Sequence, residues 1–227
     1  MIEILQVSNE LKIEARQMSE FRGHIKQYLS NLNANYDKFT VTKNDALLGY
    51  ISETAVSNYL KENFSDRIEL KSWSDLFDMN RIQNAIEYNN IKEIEYVKSF
   101  YYDKYDLEII EKKSGKKILI DVKTAETCKE PNLSRNFLYP VTQNKKKGKD
   151  CVVLCYYCKA TKDKENVITQ RDRVKLAGYI SEEEISHKRI IKAGSKTKFD
   201  TVSQIDNFET QIKDYKDLST MLNFYFQ

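Results

Sequence analysis

The spacing of apolar residues predicts helices at both ends of the chain and strands between them. Apolar side chains recur at steps of three and four residues over positions 9–32, 46–63, 73–89 and 203–224, which is typical of amphipathic helices. Asn44 or Asp45 is expected to cap the second of these helices, and Ser181 a short acidic one. Runs rich in Ile, Val, Leu and Tyr predict strands over positions 94–102, 105–111, 117–124, 151–157 and 174–180. The order is a helix, three antiparallel strands, a crossover and two more strands.

Residues 105–124 form a predicted β-hairpin whose two faces differ in polarity. Ser114 and Gly115 make the natural turn, which would set position 108 opposite 121 and position 106 opposite 123. Because side chains alternate along a strand, one face is apolar and carries Leu107, Ile109, Ile118, Ile120 and Val122. The other face carries Asp106, Glu108, Asp121 and Lys123.

Three carboxylates on one face repel one another unless something offsets their charge. A hard divalent cation such as Mg²⁺ would do so, because it takes carboxylate and carbonyl oxygens as ligands. A lysine beside such an ion can hold or deprotonate a water, and the ion stabilises charge on a phosphate. Asp106, Asp121 and Lys123 therefore suit phosphodiester cleavage. The alternative is a solvated face on which Asp106 pairs with Lys123 across the strands.

The order Asp106, then Asp121-Val122-Lys123 at the end of a hydrophobic strand, resembles the PD-(D/E)XK nuclease superfamily. Tyr105 stands where the family name has proline. In that superfamily a helix before the sheet often resembles Gly-x-x-x-Glu-x-Ala-Val, and its glutamate faces the metal ions. Glu53 matches this position, four residues after Gly49. The alternative is an ordinary glutamate near the start of a helix, where the helix dipole favours it.

The resemblance implies a fold, a chemistry and a partner. The fold is one mixed α/β nuclease domain over residues 1–227, with helices around a central five-stranded mixed sheet of αβββαβ order at about residues 46–187. The activity is Mg²⁺-dependent cleavage of double-stranded DNA by a homodimeric type II restriction enzyme, with Mn²⁺ as a substitute and Ca²⁺ binding without turnover. Asp106, Asp121 and the main-chain carbonyl of Val122 would bind the metal. Glu53 or Glu108 would support a second ion, and Lys123 would orient the attacking water.

Two alternatives to a restriction enzyme stay open. One is a structure-specific, repair or phage nuclease of the same superfamily, and the other is a non-catalytic DNA-binding module with an acidic face. The net charge is only +3, from 37 basic and 34 acidic residues, so any surface for DNA must come from local segregation of charge.

The region 125–150 is the predicted DNA-contacting segment, because it is long, lacks strong periodicity and contains a basic run. Arginine and asparagine can pair with base edges, and lysine neutralises phosphate. The candidates here and after the next strand are Ser134, Arg135, Asn136, Lys145, Lys146, Lys147, Lys149, Arg171 and Arg173. A solvated loop is the alternative for the lysines.

The cysteines do not predict a zinc site, although Cys155 and Cys158 have CxxC spacing. In a strand, residues three apart point to opposite faces, so reduced, partly buried thiols are expected. The chain has no apolar run of membrane-spanning length and no signal peptide at its start, which predicts a cytoplasmic protein without a membrane partner.

Overall fold

A computed structural model describes residues 1–32, 42–145, 148–160, 171–198 and 201–226, without the side chains of residues 144 and 145. Within these ranges the chain forms nine strands and seven α-helices. In chain order they are β1 (Ile2–Gln6), α1 (Asn9–Asn31), α2 (Lys43–Phe64), β2 (Ile68–Ser72), α3 (Met79–Glu87), α4 (Ile94–Tyr101), β3 (Leu107–Glu111), β4 (Lys117–Thr127), β5 (Asn136–Pro140), α5 (Val141–Lys145), β6 (Cys151–Cys158), β7 (Arg173–Ser181), α6 (Glu182–Ser186), β8 (Ile190–Ile191), β9 (Asn207–Gln211) and α7 (Leu218–Tyr225).

The predicted mixed α/β fold is confirmed, and its main sheet has six strands where five were expected. The order is β1-β7-β6-β4-β3-β2, with β4 and β6 parallel and every other pair antiparallel. β6 lies in the middle of this sheet and is buried along almost its whole length, as its apolar sequence predicts. A smaller antiparallel sheet of order β5-β9-β8 packs on one side.

Helix α2 covers the apolar face of β3 and β4. Its buried residues Ile51, Ala55 and Val56 share one core with Ile109 and Ile120 of the strands. The helix begins earlier than predicted, because Thr42 is the cap and Asp45 is the third residue of a capping box. The predicted helix over 9–32 and the short helix capped by Ser181 are both present.

The first of the three predicted antiparallel strands is wrong. Residues 94–102 were predicted as a strand, but 94–101 form α4, because Val97 and Phe100 are buried on one side at helical spacing. β2 pairs with β3 in its place. The predicted helix over 73–89 is a 3-10 turn at Trp73–Leu76 followed by α3, since Asp78 caps a new helix and ends the first turn.

The β3–β4 hairpin has the predicted faces but a register shifted by two residues. Leu107 pairs with Ile120, and a four-residue loop replaces the two-residue turn. The Glu111 N–H donates to the Lys116 carbonyl at 2.9 Å, and Gly115 adopts φ 70° inside the loop. Because the shift is an even number, every side chain stays on its predicted face.

The C-terminal helix predicted over 203–224 is also wrong. Residues 207–211 form β9, which pairs along its whole length with β5, and the helical parts are a 3-10 turn at Ile212–Asp214 and α7. The apolar spacing of this segment matches a helix, but tertiary pairing with β5 outweighs that local preference. Asp217 caps α7 through its carboxylate.

The cysteines of β6 follow the strand geometry that the sequence predicted. Cys155 packs in the core beneath α2, and Cys158 packs against the core on the opposite face. Cys151, Cys155 and Cys158 are free thiols. Among the described helices, none combines the length and the apolar character that crossing a membrane requires.

Candidate active site

Asp106 and Asp121 lie next to each other at the end of the β3–β4 pair. The ladder continues beyond Leu107, because the Asp106 N–H donates to the Ile120 carbonyl at 2.8 Å. The Asp106 Oδ2 accepts a hydrogen bond of 2.5 Å from the N–H of Val122. The two-residue register shift thus places Asp106 beside Asp121, where the predicted register had Asp106 opposite Lys123.

Lys123 binds Asp121 on the same strand. Its Nζ lies 2.8 Å from Asp121 Oδ1, and its side chain keeps 26% of its surface exposed. The side chains of residues 121 and 123 point to the same face, as alternation requires. The predicted group of Asp106, Asp121 and Lys123 therefore comes together in the structure.

Tyr139 and Lys149 complete the surroundings of Asp121. The Asp121 Oδ2 accepts from Tyr139 Oη at 3.0 Å and from Lys149 Nζ at 2.8 Å, and Lys149 Nζ also contacts the Tyr139 hydroxyl. Lys149 was expected to face DNA phosphates from an exposed loop, but its side chain is only 5% exposed. The attraction of the buried carboxylate explains this position. Sequence spacing gave no sign of either contact, since both partners come from beyond the hairpin.

Glu53 reaches the same cluster from α2. Its carboxylate folds back over Gly49, where an added Cβ would lie 3.6 Å from Glu53 Oε1. Burial and then Arg22 have the largest effects on the pKa of Glu53, and the charges of Asp103, Lys123 and Asp121 also act on it. The Gly-x-x-x-Glu spacing was the sequence signal for this residue.

Arg22 of α1 and Asp103 form an ion pair beside the cluster. Arg22 Nη2 donates to Asp103 Oδ2 at 2.8 Å, with both side chains partly buried. The charge of Arg22 acts on both Glu53 and Asp106. Neither Arg22 nor Asp103 was a predicted site residue, because they are distant in sequence from each other and belong to no recognisable motif.

The pKa values of the three carboxyl groups, Glu53, Asp106 and Asp121, are shifted in different directions. Burial raises the pKa of Glu53 to about 7, and Arg22 only partly offsets this effect. Burial, with Glu53 and Asp121 nearby, raises the pKa of Asp106 well above its usual range. Burial also acts to raise the pKa of Asp121, but Lys123 and Lys149 outweigh it and lower that pKa. Asp121 is therefore the fixed anion, and the other two carboxyls retain protons more readily.

Lys123 is held as a cation by the same neighbours. Burial would lower its pKa, but Asp121 and Asp106 outweigh burial and raise it above the ordinary value. The side chain is thus a hydrogen-bond donor at neutral pH and not a base.

The donor set of this cluster suits a hard cation. Within the described part of the chain, no three acidic, histidine or cysteine side chains already converge in a metal-binding arrangement. Glu53, Asp106 and Asp121 nevertheless contribute three carboxyl groups to one cluster, and Mg²⁺ prefers carboxylate oxygens.

Glu108, the other predicted supporting carboxylate, has different partners. Its Oε1 accepts from Lys117 Nζ at 2.8 Å, and its Oε2 accepts from Tyr105 Oη at 3.4 Å. Glu53 is therefore better placed than Glu108 as the third carboxylate. Val122 places its side chain in the core, and its main-chain carbonyl remains a predicted ligand.

The predicted DNA-contacting residues separate into several environments. Ser134 is exposed and binds Asn132, whereas Arg135 donates to Thr127 Oγ1 at 2.8 Å. Asn136 is buried with its amide nitrogen bonded to Glu209 and its amide oxygen to Gln211, so it holds β5 to β9. Because Asn136 is only 7% exposed and its amide is held between Glu209 and Gln211, it is not placed to read a base edge.

The remaining basic candidates are described only in part. Lys146 and Lys147 lie outside the described residues, and for Lys145 only its place in α5 is known. Arg171 is exposed just before β7. Arg173 is half-buried at the start of that strand and pairs with Glu3 at 3.0 Å.

No model of a known protein family matches this chain, and no curated protein is significantly similar to it.

Proposed function

We propose that this chain is a Mg²⁺-dependent endonuclease that hydrolyses phosphodiester bonds in double-stranded DNA, as a type II restriction enzyme. The observation that supports this proposal is that Asp106, Asp121 and Lys123 come together on paired strands, with Glu53 contributed by α2. Two aspartates with a lysine and a helix glutamate are the parts that metal-assisted phosphodiester hydrolysis needs. In this proposal residues 1–227 form one nuclease domain that acts in the cytoplasm. The enzyme would be a homodimer, because the two-fold symmetry of a dimer matches that of a palindromic DNA site.

Each site residue then has a distinct part. Asp121, Asp106 and the Val122 carbonyl would hold the cation, and Glu53 would support it from α2. The cation, when bound, supplies charge stabilisation at the phosphate, with Mn²⁺ as a substitute and Ca²⁺ binding without turnover. Lys123 is protonated and partly exposed, so it can donate hydrogen bonds to the attacking water or to a phosphate oxygen.

The surface for DNA is the loop region before β5 together with the start of β7. Ser134, Arg135, Arg171 and Arg173 are proposed to contact DNA there. Lys145 of α5, with Lys146 and Lys147 next in the sequence, is proposed to add phosphate contacts. Asn136 and Lys149 are left out of this set, because both are buried and bonded to other side chains.

The test is cleavage of linear plasmid DNA with Mg²⁺ by the wild type, Lys123→Ala and Lys117→Ala. Lys117 lies on the same strand, and its ammonium pairs with Glu108, so it is a matched control. Discrete fragments from the wild type and the control, with none from Lys123→Ala, are expected. Smearing or cleavage confined to branched DNA would replace the restriction assignment by a structure-specific nuclease. An absence of cleavage that Mg²⁺ and Mn²⁺ fail to restore would point to a non-catalytic module.

A further inference from the structure

Lys149 is held at a firmly anchored point of the main chain. The next residue, Asp150, accepts from the Leu119 N–H through its carboxylate at 2.7 Å and donates its own N–H to the Leu119 carbonyl at 2.8 Å. The carbonyl of Asp150 accepts from the N–H of Glu182 at 3.0 Å. This segment is thus fastened to β4 on one side and to the start of α6 on the other, which fixes where the Lys149 side chain enters the site.

The ammonium of Lys149 is buried on one oxygen of a predicted metal ligand. It lies 2.8 Å from Asp121 Oδ2 and 4.9 Å from the centroid of the Tyr139 ring, with 5% of its side chain exposed. Lys123 binds the other oxygen and is 26% exposed. Two ammonium groups therefore share one carboxylate, one fixed in the interior and one at the surface of the site.

A buried ammonium ion needs compensation, so this arrangement has a physical consequence. Lys123 is long and partly exposed, and it can move away from Oδ1 when another cation enters. Among the described residues, Lys149 is held more firmly, because its side chain is only 5% exposed, its ammonium contacts both Asp121 and Tyr139, and the next residue is anchored. Oδ2 consequently stays occupied by a positive charge that repels a second cation.

We infer that Lys149 is a built-in cation that limits the site to one divalent ion per chain. This inference deepens the proposed function and rests on it. Lys149 is a positioning residue here, since it acts through Asp121 and fixes which oxygen is open to the metal. Tyr139 holds the ammonium in place through its ring and its hydroxyl.

The experiment counts bound Mn²⁺ on the full chain at pH 8 without DNA, by electron paramagnetic resonance of the free ion. The wild type is expected to bind one Mn²⁺ and Lys149→Met two, because Met fills the space of the lysine stem and removes the positive charge from Oδ2, which then keeps only the neutral Tyr139 hydroxyl as a donor. Lys117→Met, which removes an exposed lysine from β4, the strand of Asp121, should bind one. Tyr139→Phe should also bind one, because the ammonium charge remains.

Two bound ions in the wild type, or one ion in a folded Lys149→Met, would overturn the inference and leave the nuclease proposal standing. Circular dichroism shows whether Lys149→Met folds. If Lys149→Met does not fold, the number of Mn²⁺ ions bound by the wild type decides alone. One bound ion supports the inference, and two contradict it. A wild type that binds no Mn²⁺ at all overturns both this inference and the proposed function.

Discussion

Replacing Glu53 by glutamine should stabilise the protein at alkaline pH while removing a carboxylate that is proposed to support the cation. The pKa of Glu53 is raised from 4.5 to about 7, mainly by burial. A carboxyl whose pKa is higher in the folded state favours folding when protonated, so stability falls as the pH rises from 4.5 to 7. Glutamine resembles the protonated acid and carries no charge. The stability of Glu53→Gln should therefore not fall with pH in this way.

The size of the effect follows from the shift. A rise from 4.5 to about 7 corresponds to a destabilisation of about 3 kcal/mol at pH 8 and about 1 kcal/mol at pH 5. Glu53→Gln should recover up to these amounts. Because Glu53 is half-buried and not fully enclosed, the figure at pH 8 is an upper value.

Urea unfolding in metal-free buffer with a chelator measures the free energy of unfolding at both pH values. The matched control is Glu62→Gln, an exposed residue of the same helix, which should change stability by less than about 0.5 kcal/mol. Adding Mg²⁺ at pH 8 should stabilise the wild type more than Glu53→Gln. Equal or lower stability of Glu53→Gln at pH 8, or a difference that does not grow with pH, would refute the reasoning.

Two further substitutions test other parts of the structure by urea unfolding. Asp121→Asn should cost about 3–5 kcal/mol at neutral pH, because it leaves the buried Lys149 ammonium without its carboxylate. Because the pKa of Asp121 is lowered in the folded protein, the stabilisation that its carboxylate provides is present above pH 3.8 and is lost below it. The free-energy cost of Asp121→Asn should therefore shrink in acid. A cost that does not change with pH would contradict this reasoning. Gly178→Ala should cost about 2–4 kcal/mol, because φ is 137° and a Cβ would collide with the Lys216 carbonyl. Gly194→Ala, with φ 83° and open space, should cost about 1 kcal/mol, and equal costs would refute the role of the collision.

The sequence predicts features that depend on the local spacing of apolar residues. It fails for features that depend on contacts between segments distant in the chain. The alternation of β3 and β4 gave the correct faces, and the apolar run of β6 gave a central strand. The register was wrong by two residues, because turn length is set by the loop's own hydrogen bonds and not by the most turn-like dipeptide.

The same distinction applies to the site. Asp106, Asp121 and Lys123 lie on neighbouring strand segments, so alternation was sufficient to predict that they share a face. Lys149 was read as part of an exposed basic run, because burial of a single lysine depends on a carboxylate that only the folded sheet brings near. Arg22 and Tyr139 belong to elements that tertiary packing alone brings to the site.

The central claim is that the end of the β3–β4 pair is a metal-dependent site for phosphodiester cleavage. DNA cleavage by Asp106→Asn tests this claim most directly. The raised pKa of Asp106 means that a neutral amide suits its position, so this variant should stay folded. The measurement is the single-turnover rate of plasmid cleavage in Mg²⁺, against Glu108→Gln as a control on the same hairpin. We expect at least about a 100-fold loss for Asp106→Asn, as for other electrostatic groups of active sites, and near wild-type rates for the control. A folded Asp106→Asn that cuts as fast as the wild type would contradict the claim.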